Sequence, residues 1–456
     1  MAVIARHISP RRVTVFGVET AMVVMCLLLA SLLHGRLDAL DGALVPLVLV
    51  TACCMLFLYW NELYDLSVVD TSAELVIRLM RSAGATAMAV AAASAVLPSV
   101  LIADGLVLTA LLLLVCIVPV WRLAAQLVVN GHRLDERVLV IGTGATARIV
   151  GDLIERQRDF PYQLVGFTAE HPEPDAGDGG LRVLGLHQRL DEIIARERIE
   201  RIVVSLSDRR GTLPLKQLLE AKLAGVHVEE ATTLYERIAG KLLLDDLTPS
   251  WLIFSDGFRV SRFTRLQKRL LDVSCSAVGL VLTSPLLLLT AAAIRWDSPG
   301  PVLYRQERVG LRGRPFMLFK FRSMRTDAES GTPVWARDND DRVTRIGRVL
   351  RASRIDELPQ LWNVLRGDMS LVGPRPERPF FVERLAAHIP FYRERHAVRP
   401  GVTGWAQVRY RYGASVEDAI EKLRYDLYYI KHQSLAFDIA IALDTVKVML
   451  VGKGAK

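Results

Sequence analysis

Apolar and polar positions divide the chain into stretches of different texture. Four apolar runs come first, roughly Val13 to Leu33, Ala43 to Trp60, Gly84 to Ala103 and Gly105 to Trp121, each near the ~20 residues that a helix needs to cross a bilayer. From Arg137 the apolar stretches shorten to strand length, at Arg137 to Ile141, Gln163 to Thr168, Arg182 to Leu184 and Arg201 to Ser207. Helical patterns at Gln188 to Arg198 and Leu213 to Ala224 fall between them, and this alternation predicts a parallel α/β module. A fifth apolar run, Leu270 to Ile294, leads into a mixed region dense in Arg, Pro and Gly. Near the end, Val416, Ala419, Ile420, Leu423, Leu427 and Ile430 repeat at helical spacing, and the apolar stretch Ala436 to Val451 is interrupted by Asp438, Asp444 and Lys447. Those charges predict an interfacial or packed helix there, not a span.

The predicted fold is a membrane protein in three parts. They are a four-helix transmembrane bundle over 1–130, a Rossmann-like α/β module over 137–257, and an α/β domain over 258–456 that carries an apolar helix at 270–294. Flanking charges orient the parts. Arg6, Arg11 and Arg12 precede the first run, Arg78 and Arg81 precede the third, and Arg122, Arg133 and Arg137 follow the fourth, whereas Asp38, Asp41 and Asp104 mark the alternate loops. Positive residues stay on the cytoplasmic side, so both ends of the bundle are expected there. Arg265, Lys268 and Arg269 lie before the fifth run, and Arg295, Arg305, Arg308, Arg312 and Arg314 lie after it. With Ser284-Pro285 in its middle, the run is predicted to be a re-entrant broken helix that returns to the cytoplasmic face, the alternative being a kinked spanning helix. Glu19 within the first run reads as snorkelling or helix packing more readily than as a functional carboxylate.

Composition agrees with this division. The chain of 456 residues is 51% hydrophobic yet carries a formal charge of +8, so its apolar residues are gathered into blocks beside basic stretches. Such a balance suggests a membrane protein with cytoplasmic bulk, and no nucleic-acid partner is expected. The five cysteines, Cys26, Cys53, Cys54, Cys116 and Cys275, sit in apolar segments without metal-site or disulfide spacing,.

Two places carry candidate chemistry. Gly142 to Ala147 follows a strand and opens a helix, so Gly142 and Gly144 could form a phosphate-cradling nucleotide turn, with Glu170 placed to meet a ribose,. No catalytic set accompanies that turn. The denser group is Ser353-Arg-Ile-Asp-Glu-Leu-Pro-Gln360, whose adjacent carboxylates, Asp356 and Glu357, precede a proline at an expected helix start. Around them lie Lys320, Arg322, Arg351, Arg375, Arg378 and Arg399. Cations to neutralise phosphate oxygens, carboxylates to hold Mg2+ and an anionic nucleophile are the ingredients of phosphoryl transfer. A pair of helix-capping acids among arginines that face an acidic membrane is the competing reading.

The region from about Leu266 to Leu450 resembles the catalytic domain of the monotopic phosphoglycosyltransferases, bacterial sugar transferases that begin exopolysaccharide, capsule and O-antigen assembly. The matching text is Lys268-Arg-Leu-Leu-Asp272, the Ser284-Pro285 break, Pro299-Gly-Pro-Val302, Arg305-Gln-Glu-Arg-Val-Gly310, Lys320-Phe-Arg-Ser-Met324, the Ile-Asp-Glu-Leu-Pro-Gln run, Gly367-Asp-Met-Ser-Leu-Val-Gly-Pro-Arg-Pro-Glu377 and Arg399-Pro-Gly-Val-Thr-Gly-Trp-Ala-Gln407. The bundle and module ahead of it are similar to those of the large members, among them undecaprenyl-phosphate glucose and galactose phosphotransferases. The resemblance implies transfer of a sugar 1-phosphate from a UDP-sugar to undecaprenyl phosphate with release of UMP. It makes Asp356 the nucleophile that forms an aspartyl phosphosugar, Glu357 a Mg2+ ligand or proton handler, and Arg351 and Arg375 phosphate ligands. It implies an enzyme of the bacterial inner membrane, multi-pass with its catalytic domain cytoplasmic, and is compatible with a homodimer. Two other classes remain: a nicotinamide-dependent enzyme modifying nucleotide sugars, and a non-catalytic membrane scaffold.

Overall fold

Helix propensity extends the apolar segments beyond the runs themselves. The computed structural model describes residues 10–34, 44–61, 63, 72–96, 106–129, 135–157, 160–170, 182–205, 213–244, 247, 249–255, 257–326, 328, 341–410, 413 and 415–451; Arg6, Asp38, Asp41, Asp104 and Arg133 lie outside them. The first helices are α1 (Pro10–Leu33), α2 (Leu44–Trp60), α3 (Ser72–Val96) and α4 (Leu106–Val129). The third begins well before Gly84, because Ala-Glu-Leu-Val-Ile-Arg-Leu-Met-Arg favours helix although it is less apolar,. Residues 97–103 of that run lie outside the described residues.

These helices share a buried cluster that includes Val23, Cys26, Leu27, Val50, Cys54, Leu79, Leu114 and Val118. They also present Met25, Leu32, Leu49, Met88, Leu112 and Val120 outward. Helices apolar on every side suit a bilayer. Among the described residues, Thr14–Leu33, Val76–Ala93 and Arg262–Asp297 are long and apolar enough to cross a membrane, and Val48–Trp60 and Leu106–Trp121 are shorter apolar helices. Glu19 is fully buried among neighbouring helices, so it packs rather than snorkels. All five cysteines are free thiols.

The α/β part of the same unit has β1 (Glu136–Ile141), α5 (Ala145–Arg156), β2 (Tyr162–Ala169), β3 (Val183–Leu186), α6 (Leu190–Glu197), β4 (Arg201–Val204), α7 (Leu215–Leu223), β5 (His227–Glu230) and α8 (Ala231–Ala239). All strand pairs are parallel and the order is β3-β2-β1-β4-β5. Strand β5 escaped the sequence pattern because His-Val-Glu-Glu carries a single apolar residue.

A second compact unit starts at Gly240, earlier than the expected 258. The reason is packing: Leu242 joins a cluster with Trp405, Leu423 and Tyr428, the Trp405 indole donates to Gly240 O at 2.7 Å, and Phe258 N–H donates to Lys431 O. This unit contains α9 (Pro249–Phe254), α10 (Arg262–Asp297), β6 (Leu303–Val309), β7 (Pro315–Phe321), α11 (Arg345–Ala352), α12 (Gln360–Arg366), β8 (Ser370–Val372), α13 (Pro379–Ala386), β9 (Gly401–Thr403), α14 (Trp405–Arg409), α15 (Val416–Lys431) and α16 (Leu435–Val451).

Helix α10 keeps helical conformation on both sides of Pro285, so Ser284-Pro285 does not unwind the chain as expected, and any departure from a straight axis there is a proline bend. Proline removes the N–H that would bond Val281 O, and the Ser284 hydroxyl donates to that carbonyl at 2.7 Å instead,. The N-terminal end of α10 is tied down by buried polar groups. Lys268 Nζ donates to Asp438 Oδ2 at 2.7 Å and to Val372 O at 3.0 Å, and Asp272 accepts from Ser370 Oγ and Leu371 N–H. Asp438 thereby faces the protein core from α16. At the other end, Ile294 packs with Phe321 and Leu350. Between them Val278, Val281, Leu282, Leu288 and Leu289 are exposed.

Candidate active site

Lys320 and Glu357 meet because one asparagine joins their elements. Antiparallel β6 and β7 place Lys320 opposite Tyr304. Asn363 on α12, wholly buried, accepts from Phe319 N–H at 3.1 Å and donates to Met317 O at 2.7 Å. Helix α11, capped by Thr344, ends shortly before Arg354, whose φ of 58° turns the chain into a 3-10 turn, Ile355–Glu357. The acids therefore occupy their own turn, one step before α12, and neither caps a helix. This differs from the expected N-cap position and removes the capping explanation for the pair.

Within that turn the two carboxyls differ. Lys320 Nζ donates to Glu357 Oε1 at 2.7 Å, Arg375 Nη2 to the same oxygen at 3.3 Å, and Arg354 Nη1 lies 4.0 Å from it. Burial opposes ionisation of Glu357, but these cations outweigh it and hold the carboxyl well below the usual range,. Asp356 is 7% exposed and its Oδ1 has no hydrogen-bond partner. Burial, with the neighbouring Glu357 charge, pushes its pKa up against the pull of Lys320, Arg351 and Arg354. One acid is thus paired with cations by the protein, while the other keeps a buried oxygen, Oδ1, that no protein group bonds.

Arg375 is placed by a strap that glycines allow to pass close to β9. A Cβ on Gly373 would lie 2.4 Å from Arg399 O, and one on Gly401 would lie 2.1 Å from Gly373 N. Buried Arg395 then donates from Nη2 to Arg375 O at 3.1 Å, while Nε and Nη2 both bind Asp426 Oδ2, at 3.1 and 2.7 Å. Arg308 Nη1 donates to Pro376 O at 2.9 Å, completing the support.

Next to Arg395, His396 is buried with Nε2 unpartnered. Burial, then Arg395 and Arg393, lower its pKa to about 4. Between the unfolded value near 6.5 and this lowered one, the unfolded chain binds more protons. The stability His396 confers is complete above that window and is lost as pH falls through it, by about 2 kcal/mol at pH 5. The thermal midpoint is expected to fall between pH 7 and pH 5 by less in His396→Gln than in the wild type; equal falls would show that His396 does not carry the effect.

Of the expected phosphate ligands, Lys320 and Arg375 meet at the dyad, and Arg351 acts on Asp356 electrostatically. Arg322 does not belong with them. It is buried, and its guanidinium bonds Pro299 O and Ser298 O, both at 2.7 Å, fastening the end of α10. Arg399 donates through Nε to Gly367 O and supports the end of α12, and Arg378 is the N-cap residue of α13. Gly142 and Gly144 belong to the other unit. Arg354, Asn363 and Arg395 carry no signal in the sequence beyond the i,i+3 spacing of Arg354 to Glu357.

The two acids also suit a metal ion. Asp356 Oδ1 lacks a partner and the cations on Glu357 converge on Oε1 alone, so the pair retains oxygens for a Mg2+ that takes its other ligands from substrate phosphates and water. Among the described residues no group of three or more His, Cys, Asp or Glu is placed to hold a metal ion.

Comparison with known proteins follows the same region. The bacterial sugar transferase family pattern matches residues 263–452. A UDP-N-acetylgalactosamine-undecaprenyl-phosphate N-acetylgalactosaminephosphotransferase of Aeromonas hydrophila is 43% identical over 239 residues, covering 52% of this chain and 56% of that protein. A UDP-glucose:undecaprenyl-phosphate glucose-1-phosphate transferase of Caulobacter vibrioides is 49% identical over 192 residues, covering 42% of this chain and 72% of that protein. An undecaprenyl-phosphate glucose phosphotransferase of Komagataeibacter xylinus is 36% identical over 333 residues, covering 71% of this chain and 61% of that protein. The match thus spans little more than half the length of the first relative.

Proposed function

The chain belongs to the bacterial sugar transferase family, and from that premise we propose that it transfers a sugar 1-phosphate from a UDP-sugar to undecaprenyl phosphate, initiating assembly of a surface polysaccharide. The observation that carries the reading is the division of labour in the dyad, with Glu357 bound by Lys320 and Arg375 and Asp356 unpartnered beside it.

In this mechanism an Asp356 carboxylate oxygen attacks the sugar-linked phosphorus of the donor. A bond forms between Asp356 and phosphorus, the bond from that phosphorus to the bridging oxygen breaks, and UMP departs with that oxygen. A phosphate oxygen of undecaprenyl phosphate then attacks the same phosphorus. The aspartyl oxygen leaves, which regenerates the carboxylate and yields the lipid diphosphosugar. Arg351, Arg354, Arg375 and Lys320 offset negative charge that accumulates around phosphorus. Asp356 and Glu357 would hold Mg2+, which when bound neutralises diphosphate charge. Dividing transfer into two steps lets a soluble donor and a membrane lipid use one site in turn.

The reading includes a re-entrant α10 and four spanning helices ahead of it. A straight helix of 36 residues would be about 54 Å long,, enough to separate its ends across the ~30 Å bilayer core. Both ends of α10 are bonded within one compact unit, at Lys268 and Asp272 and again at Ser298, and a bend at Pro285, which lacks one helix hydrogen bond, would return the helix to the face it left. The exposed apolar middle then dips into one leaflet, and the dyad lies at headgroup level on the cytoplasmic face of the inner membrane. Reporters fused after Lys456 are expected to be active in the cytoplasm and inactive in the periplasm; the reverse pattern from an intact fusion would overturn the topology.

The direct test is release of UMP from a panel of UDP-glucose, UDP-galactose and UDP-N-acetylgalactosamine incubated with the purified protein and undecaprenyl phosphate. Lipid-dependent UMP release with one of them supports the reading. No release from a folded, Mg2+-supplemented preparation with any would sink it for these donors.

A further inference from the structure

The strand order β3-β2-β1-β4-β5 places β1 beside β4 at the centre of the sheet. Helix α5, which follows β1, packs on the face that carries Phe167: a Cβ on its Gly151 would lie 2.6 Å from that ring. The opposite face carries Leu139, Ile141 and Ile202, clustered with Leu190 and Ile193 of α6 and Leu218 and Ala221 of α7. Connections that leave neighbouring strands on opposite faces open a crevice at the strands' carboxyl ends, where open parallel sheets take their ligands.

Three observations bear on that crevice. First, Gly142 has a φ of 112°, which a tight turn out of β1 requires,. Gly144, the N-cap of α5, has an ordinary φ of −64°, and a Cβ there would meet nothing within 4 Å. Neither its backbone nor the surrounding protein demands glycine, whereas a group lying close against the turn would. Second, this twelve-residue helix starts without a side-chain cap and without an acidic residue in its first turn, so its leading amides face outward with a positive dipole. Third, Ser205, immediately after β4, is 8% exposed and its hydroxyl has no hydrogen-bond partner. Its N–H bonds Ile141 O, extending the ladder. Because Ile202 and Val204 face the α6 and α7 layer, strand alternation turns Ser205 toward the face of α5, beside the glycine turn.

We infer that the α/β module holds a second nucleotide site, separate from the dyad, that takes a nucleoside diphosphate across the β1–β4 crevice. The diphosphate lies on the amides of Gly144 and the first turn of α5 and receives the Ser205 hydroxyl. Glu170, directly after β2, stands where a ribose hydroxyl would donate to it. Arg148 Nε, bonded to Thr143 O, steadies the turn. The site supplies binding without bond-making, and the inference does not depend on the transferase reading.

Equilibrium dialysis of the full-length protein with labelled UDP-glucose and, separately, labelled NAD+ tests it and distinguishes the two sources of a nucleoside diphosphate. An Asp356→Asn background prevents donor consumption. The discriminating variant is Gly144→Asp: its Cβ has room, and aspartate is a good N-cap that preserves or raises the thermal midpoint, yet its carboxylate repels a diphosphate. Expected is a site that Gly144→Asp weakens at least tenfold and Ser205→Ala weakens severalfold, seen as two UDP-glucose per chain falling to one, or one NAD+ falling to none. Unchanged binding of both nucleotides in a folded Gly144→Asp protein, or a wild-type stoichiometry that leaves no site outside the dyad, would overturn it. Loss of lipid-dependent UMP release in an otherwise wild-type protein would bear on the transferase reading alone.

Discussion

Asp356→Asn is expected to lower turnover by roughly a thousandfold or more, while the protein folds and inserts as before. The fold should tolerate the change because the Asp356 carboxyl accepts no hydrogen bond at Oδ1 and burial already opposes its charge; a neutral amide of the same size removes that strain. With labelled UDP-sugar and no lipid acceptor, the wild type should retain a phosphosugar on Asp356 and release UMP, and the variant should do neither. Acid-quenched wild-type enzyme that never carries label, under conditions of verified turnover, would exclude the covalent route. Direct transfer between two simultaneously bound substrates would replace it.

Arg395→Met should destabilise the second unit by about 3–5 kcal/mol, because it leaves Asp426 buried without its cation. The two groups are 4% and 2% exposed, and burial already pushes the Asp426 carboxyl upward against the pull of Arg395. A double variant, Arg395→Met with Asp426→Leu, should recover most of the lost stability, since a well-packed apolar pair often matches a buried ion pair. It should not recover activity, because the bond from Arg395 Nη2 to Arg375 O is still missing and Arg375 is one of the two residues hydrogen-bonded to Glu357. Thermal midpoints and turnover measured on the same preparations separate these effects. A double variant as active as wild type would show that the strap holds Arg375 without Arg395.

The structure thereby assigns different work to residues of one chemical type. Arg375 contacts the dyad, Arg395 holds the backbone beneath it, and Arg322 fastens the end of α10. Substitutions of the last two should act through position and stability, not through charge at phosphorus.

Properties set by near neighbours along the chain were legible from the text. Apolar runs, strand alternation, the helical spacing from Val416 to Ile430 and the adjacency of Asp356 to Glu357 all depend on a few consecutive residues, and the structure places helices, strands and a turn accordingly. The order of motifs was also enough to indicate the family. Tertiary structure alone decided where each guanidinium went, because the carbonyls that Arg322 binds lie 23 and 24 residues away and the Asp426 carboxylate that Arg395 binds lies 31 away. It decided that the cations converge on Glu357 and leave Asp356 Oδ1 without a partner, since Asn363 brings β7 against α12 across a separation of 44 residues. It likewise bonded both ends of α10 within one unit and left the buried Ser205 hydroxyl, unremarkable in the sequence, without a partner. Residue type and spacing prescribe local conformation and the inventory of charges, whereas the partner of each charge follows from packing between distant segments.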